Sequence, residues 1–164
     1  MLMIFHRQSM SGNLSVTLII SGVLLVIGST FLLFVLPSLA KPETKIFIGD
    51  GIFSADLALT QTARETGLSG NHSLQPDHAL LMAFPSEDKW GIWMKDMNFP
   101  IDIVWLNTNK KVIYIVLGAQ PGDLTVHSPK LPAKYVVELP ADTVSSKAIH
   151  TSNIATFDIE GEVK

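Results

Sequence analysis

The 164 residues predict a mainly β domain, a compact sandwich- or barrel-like body of about eight short strands with one short helix, preceded by a single transmembrane helix. Three observations carry that expectation. Thirty-three consecutive residues between Arg7 and Lys41 bear no charge, eight short apolar stretches downstream are parted by turn formers, and a single segment carries helix-end signals. Composition agrees, since 47% hydrophobic residues lie at the upper edge of globular usage and 16% charged residues fall well below the usual quarter, in the direction of a membrane segment. The absence of cysteine removes disulfides, thiol catalysis and thiolate metal sites, and a net charge of −3 without a basic block gives no nucleic-acid footprint.

Residues 14–36 read LSVTLIISGVLLVIGSTFLLFVL, 23 residues that suffice as a helix to cross about 30 Å of hydrocarbon. A signal-peptide core is shorter, about 7–15 residues. Ser38-Leu39-Ala40 nevertheless has the small residues of a cleavage site, so secretion after cut Ala40 is the alternative to a retained anchor. Arg7 and the amino terminus balance Lys41 and Lys45, which leaves orientation undecided by charge. A signal-like segment leads its downstream domain across the membrane, and the expected location is therefore the cell membrane with the β domain outside the cytoplasm. The chain divides into a head (1–13), the span (14–36), a linker (37–44), the β domain (45–160) and a tail (161–164).

Within the domain, residues 45–49 and 53–59 alternate around Asp50-Gly51, a hairpin signal. Thr62 and Glu65 have capping-box spacing and Gly67 is a stop, which marks the short helix. Residues 79–84 (ALLMAF) and 90–97 (WGIWMKDM) read as strands. Residues 101–106 (IDIVWL) and 112–117 (VIYIVL) flank the turn 107–111, and their near-continuous apolarity predicts central strands covered on both faces. Residues 134–139 and 154–159 complete the eight. The segment 118–133 is a long loop stiffened by Pro121, Pro129 and Pro132, and it is read as ordered over a sheet face.

The stretch 91–106, GIWMKDMNFPIDIVWL, resembles the signature of the family called domain of unknown function 192, whose members carry a phrase close to FWMKNM-x-FPLDIIFLD. Trp93-Met94-Lys95, Phe99-Pro100 and Ile101-Asp102 fall at the family's spacing. Gly67-Leu68-Ser69-Gly70 is similar to its GLMGR, Leu81-Met82-Ala83-Phe84 to its MLFVF, and Tyr135-Val136-Val137-Glu138-Leu139 to its YVLEL. The chain departs where Asn71 replaces the usual Arg and Asp142 a frequent Gly. The resemblance implies a compact, mainly β domain, in prokaryotic members frequently behind a signal or anchor, and implies no reaction, cofactor or substrate.

The ionisable residues worth weighing are Lys95, Asp96 and Asp102 around the turn 98–100, with Glu138 and His127 as elements that folding would have to bring to them. Asp102 shares a strand face with Val104 and Leu106, so its carboxyl needs a partner: turn amides or Lys95 if structural, a ligand if functional. Trp90, Trp93 and Trp105 are core aromatics or, where exposed, a stacking face. His72, His78, His127 and His150 lack metal-ligand spacing, and no nucleophile elbow or phosphate loop appears, so no metal or cofactor is expected. The candidate ligand-binding set is Trp93, Met94, Lys95, Asp96, Pro100, Asp102, His127 and Glu138. The expected function is a non-enzymatic binding module for a small ligand, glycan or envelope partner. The alternatives are an envelope hydrolase using Asp102 or Asp96 with Lys95, and a structural component of a membrane assembly.

Overall fold

The computed structural model describes residues 42–160. The expected head, transmembrane helix and tail lie outside the described residues, and among those described no helix is long and apolar enough to cross a membrane. Strands β1 (Glu43–Ile48) and β2 (Gly51–Ala58) form a hairpin, and helix α1 (Gln61–Thr66) leads to β3 (His78–Asp88). Then follow β4 (Ile101–Leu106), β5 (Val112–Ala119), β6 (Ala133–Pro140) and helix α2 (Thr143–Ser146). All six strands form one sheet in the order β1-β2-β3-β6-β4-β5. Every neighbouring pair is antiparallel except β2–β3, which is parallel and joined through α1.

The architecture is therefore mainly β, but a single open mixed sheet with two short helices replaces the expected eight-stranded sandwich or barrel. Two expected strands are extended segments without a ladder. Segment 90–97 makes an isolated bridge from Ile92 to His127, and segment 154–159 bridges Ile154 to Lys111 and Thr156 to Phe47. Their alternation is real, with Ile92 and Met94 buried beside an exposed Trp93, and Ala155 and Phe157 buried beside an exposed Ile154. It records one face lying on apolar surface, which a strap across a sheet satisfies as well as a strand within one. The last segment runs between the two sheet edges: Val112 donates to the Asn153 carbonyl on β5, while Phe47 and Thr156 exchange amide bonds on β1. Both edges are thereby partly paired.

Four local expectations also shift. The first turn is Gly49-Asp50, with Gly51 already paired to Ile48, and Gly49 supplies the positive φ of 55° at the first central position. The expected linker ends early, because Glu43 already opens β1. The N-cap of α1 is Thr60, whose hydroxyl accepts from the Ala63 amide at 3.1 Å, rather than Thr62. Of the two apolar strands, β4 is central and wholly buried, whereas β5 is an edge with Leu117 exposed.

Both faces of the sheet are covered. On one, Ile46, Phe53, Leu81, Val104, Val137 and Leu139 pack against α2 through Val144 and against Ile149 and Phe157. On the other, Met82, Ile103, Trp105 and Val136 pack against Leu68, Ile92, Met94 and Met97. Asp102 lies on the first face and is 1% exposed. Its two carboxyl oxygens accept from the Gly118 amide (2.8 Å) and the Val144 amide (2.9 Å), so it closes the β4–β5 end and supplies the N-terminal acceptor that α2's own N-cap, Asp142, does not. Asp102→Asn keeps one acceptor and leaves a buried amide facing an NH₂, an expected loss of about 2 kcal/mol in urea denaturation. A loss below about 0.5 kcal/mol contradicts this role.

Candidate functional site

A cavity of about 480 Å³ opens on the second face. Its floor is β3 and β6, through Met82, Phe84 and Glu138; one wall is α1 with the turn that follows it, residues 61–69, and the other is the strap, through Trp90, Ile92, Trp93 and Met97. Backbone hydrogen bonds and packing hold both walls. The Arg64 guanidinium lies over the Phe84 ring, 5.1 Å from its centroid, and one nitrogen donates to the carbonyls of Leu59 (2.6 Å) and Ala83 (2.8 Å). Phe84 stacks on Trp90 at 4.3 Å, and the Trp90 carbonyl accepts from the buried Trp105 indole at 2.9 Å. The post-helix turn is joined to the strap where Ser69 donates to the Lys95 carbonyl, Gly70 to that of Asp96, and Asn98 to that of Asn71.

Glu138 is the one polar side chain on the floor. It sits directly opposite Leu80 on β3 and Ile103 on β4, which fixes it on the cavity face, and it is 4% exposed. Its Oε2 is buried and has no hydrogen-bond partner among the described residues. Desolvation alone pushes the carboxyl up to about 8, so the acid form prevails at neutral pH. Gly67 takes the positive φ of 52° that ends α1 above it, where a Cβ would make ordinary contact, 3.4 Å from the Met82 methyl and 3.9 Å from Oε2.

The structure brings only part of the sequence-derived set together. Trp93, half exposed, stands at the cavity rim with the Lys95 ammonium 5.2 Å from its ring centroid, and Glu138 is at the floor. Met94 is fully buried in the core, Asp96 holds a turn at φ 58°, and Pro100 lies partly buried before β4. His127 pairs through its backbone with Ile92; its Nε2 is buried, lies 3.6 Å from the Asp123 carboxylate and makes no hydrogen bond. Asp102 is on the opposite face, so the expected grouping of Lys95, Asp102, Glu138 and His127 does not form. The loop carrying His127 is laid along the strap by bonds from Met94 to Asp123 and from Gly122 to Met94. Among the described residues no three His, Asp or Glu side chains stand close enough to hold a metal ion.

Sequence reasoning missed Arg64, Leu68, Met82, Phe84 and Trp90 as lining residues. Only the β3–β6 register puts Met82 and Phe84 on the face of Glu138, and nothing local encodes that register.

Fold and site define a small mainly β domain with one open mixed sheet and a pocket of mixed apolar and polar lining on one face. Residues 44–155 match the domain of unknown function 192 family, described as "Uncharacterized ACR", and the chain belongs to that family. Among solved structures, it is similar to a Sinorhizobium meliloti 1021 protein provisionally described as a transcription regulator, with 25% identity, a TM-score of 0.66, and coverage of 72% of this chain and 94% of that one. It is likewise similar to a protein of unknown function from Novosphingobium aromaticivorans DSM 12444, with 19% identity, a TM-score of 0.66, and coverage of 71% and 84%. No curated protein matches.

The unpaired carboxyl has a measurable signature. Between 4.5 and about 8 the folded chain holds the Glu138 proton and the unfolded chain releases it, so stability is greatest below this window and falls as pH rises through it. At pH 7 the cost is on the order of 3 kcal/mol. Glu138→Gln is expected to remove that fall, leaving the variant more stable than wild type at pH 7–8 and little changed near pH 4.5, read from urea midpoints. Parallel pH profiles for the two proteins would contradict it.

Proposed function

We propose that this chain is a binding module rather than an enzyme, that its site is the cavity beneath α1, and that it takes a small ligand with an apolar body and one polar group directed at Glu138. The observation that supports this reading is the buried, unpartnered Glu138 oxygen at the floor of a cavity whose depth is lined by Met82, Phe84, Leu68 and Trp90 and whose α1 wall carries Gln61, Arg64 and Glu65. An apolar pocket with few convergent polar groups is the usual form of a small-molecule site. Its size falls within the range such sites occupy. No histidine lines it, the Ser69 hydroxyl is committed to the Lys95 carbonyl, and Asp102 is spent on two backbone amides on the other face. A hydrolase pair of Asp102 with Asp96 or Lys95 therefore draws no support from the geometry.

The Sinorhizobium protein's description suggests nucleic acid as a ligand. Residues 42–160 hold nine Lys and Arg against fourteen Asp and Glu, a balance of −5 that favours a small ligand over a polyanion. The segment 14–36 supports presentation of the domain from a membrane, on its outer side, to a ligand or partner of the cell envelope.

Two measurements test this reading. Single-ring aromatic fragments bearing amine, amide, alcohol or acid groups, screened by NMR against indole-labelled protein, are expected to shift Trp90 and Trp93. Trp93→Ala should then weaken the hits about fivefold, the worth of one aromatic contact of about 1 kcal/mol. Fragments that leave both indoles unmoved contradict a pocket. Because the chain lacks cysteine, Asn109→Cys gives a single exposed thiol, and a membrane-impermeant maleimide is expected to label it on intact cells. Labelling only after lysis would place the domain inside.

A further inference from the structure

We propose that the cavity beneath α1 selects a small organic ammonium, whose N–H groups meet Glu138 at the floor while its apolar body lies among Met82, Phe84, Trp90 and Trp93. This assignment rests on the pocket being the ligand site and names the class of ligand it takes. The first ground is the atom left without a partner: Glu138 Oε2 is an acceptor, buried, with no donor within reach among the described residues. Once ionised, this carboxylate offers acceptors only, and a ligand that completes it in that form brings an N–H or O–H.

The second ground is the charge around it. The lining holds two carboxyls, Glu138 and Glu65, against one cation, Arg64. Arg64 is already engaged with the Leu59 and Ala83 carbonyls and the Phe84 ring, and is not placed as the counter-ion of Glu138. The third is the lining itself, whose phenyl, indole and thioether groups suit an apolar body. Arg64 and Lys95 already lie over Phe84 and Trp93, at 5.1 and 5.2 Å, so the ammonium itself is recognised through Glu138. The fold has also removed Glu138 from water in advance, so an entering ammonium adds its own desolvation and, below the Glu138 midpoint of about 8, the release of the carboxyl proton.

The other charged groups of the cavity are Arg64 and Glu65 from α1, and Lys95 stands over Trp93 at its rim. Leu80 and Met82 of β3 and Ile103 of β4 face Glu138 without a titratable group. Pairing requires the carboxylate, and an alkylammonium with the proton affinity of a lysine stays charged to about pH 9. Its affinity is therefore expected to rise about tenfold from pH 7 to pH 9 as Glu138, with its midpoint at about 8, ionises.

The test is calorimetric titration of the full-length chain in phosphatidylcholine nanodiscs, with empty discs as reference, using phenethylammonium, phenethyl alcohol and hydrocinnamate as cationic, neutral and anionic probes of similar shape. The expected result is that the ammonium binds tightest, releases a proton at pH 7, gains about tenfold by pH 9, and weakens at least tenfold in Glu138→Gln, while the alcohol is little affected. The wild-type pH series carries the test even where the variant does not fold. Tighter binding of the alcohol or of hydrocinnamate, or an ammonium affinity independent of pH and of Glu138→Gln, overturns the ammonium assignment and leaves the pocket standing. Failure of all three probes to bind overturns the assignment and the pocket reading together.

Discussion

The placement of β6 between β3 and β4 is the constraint on which the rest of the molecule depends. It is the last strand in sequence, yet it joins the β1-β2-β3 half of the sheet to the β4-β5 half. Its residues 135–139 are buried on both faces, with Tyr135, Val137 and Leu139 in one core layer and Val136 in the other. Each half alone would expose an edge and an apolar face, so neither is complete before β6 inserts. The same insertion carries Glu138 into the cavity face, where sheet pairing holds the backbone on both sides and the side chain cannot turn to water.

The two deeply buried carboxyls show how the same residue class takes different roles. Asp102 and Glu138 sit on adjacent strands, one register step apart, and therefore on opposite faces. Asp102 meets two amides that strand and helix ends leave free, and its burial is repaid by fixing α2 and the end of β5. Glu138 meets Leu80, Ile103 and the cavity, and no group among the described residues donates to its Oε2. A sequence that tolerates such a group at a strand centre gives up stability there, and groups of this kind concentrate at functional sites.

Much of the fold was legible because it rests on local signals. The boundaries of β4 coincide with the apolar run 101–106, and Gly67 ends α1 as a glycine stop should. Wherever a strap imitates a strand, the pattern misled: 90–97 and 154–159 alternate because they cover the sheet, and only long-range pairing separates the two cases. The parallel β2–β3 crossover was hidden because α1 is a bare six residues within the connection. α2 was hidden because its N-terminal acceptor, Asp102, lies 42 residues away rather than at the N-cap. Of the site, Trp93 and Glu138 were legible from motifs that are similar to the family's, whereas Arg64, Met82 and Phe84 depend on register and on α1 folding back over β3. The cluster expected around Asp102 failed on parity, since one step along β4 reverses the face.

The central claim is that Glu138 is a buried carboxyl without a partner, held in the acid form by its surroundings. Carbon-13 NMR of the glutamate side-chain carboxyl, followed from pH 4 to pH 9 with Glu138→Gln used to assign the resonance, reads this directly. A titration midpoint near 8 is the expected result, and a midpoint near the ordinary 4.5 would show that the carboxyl is hydrated or paired and would contradict the site as described.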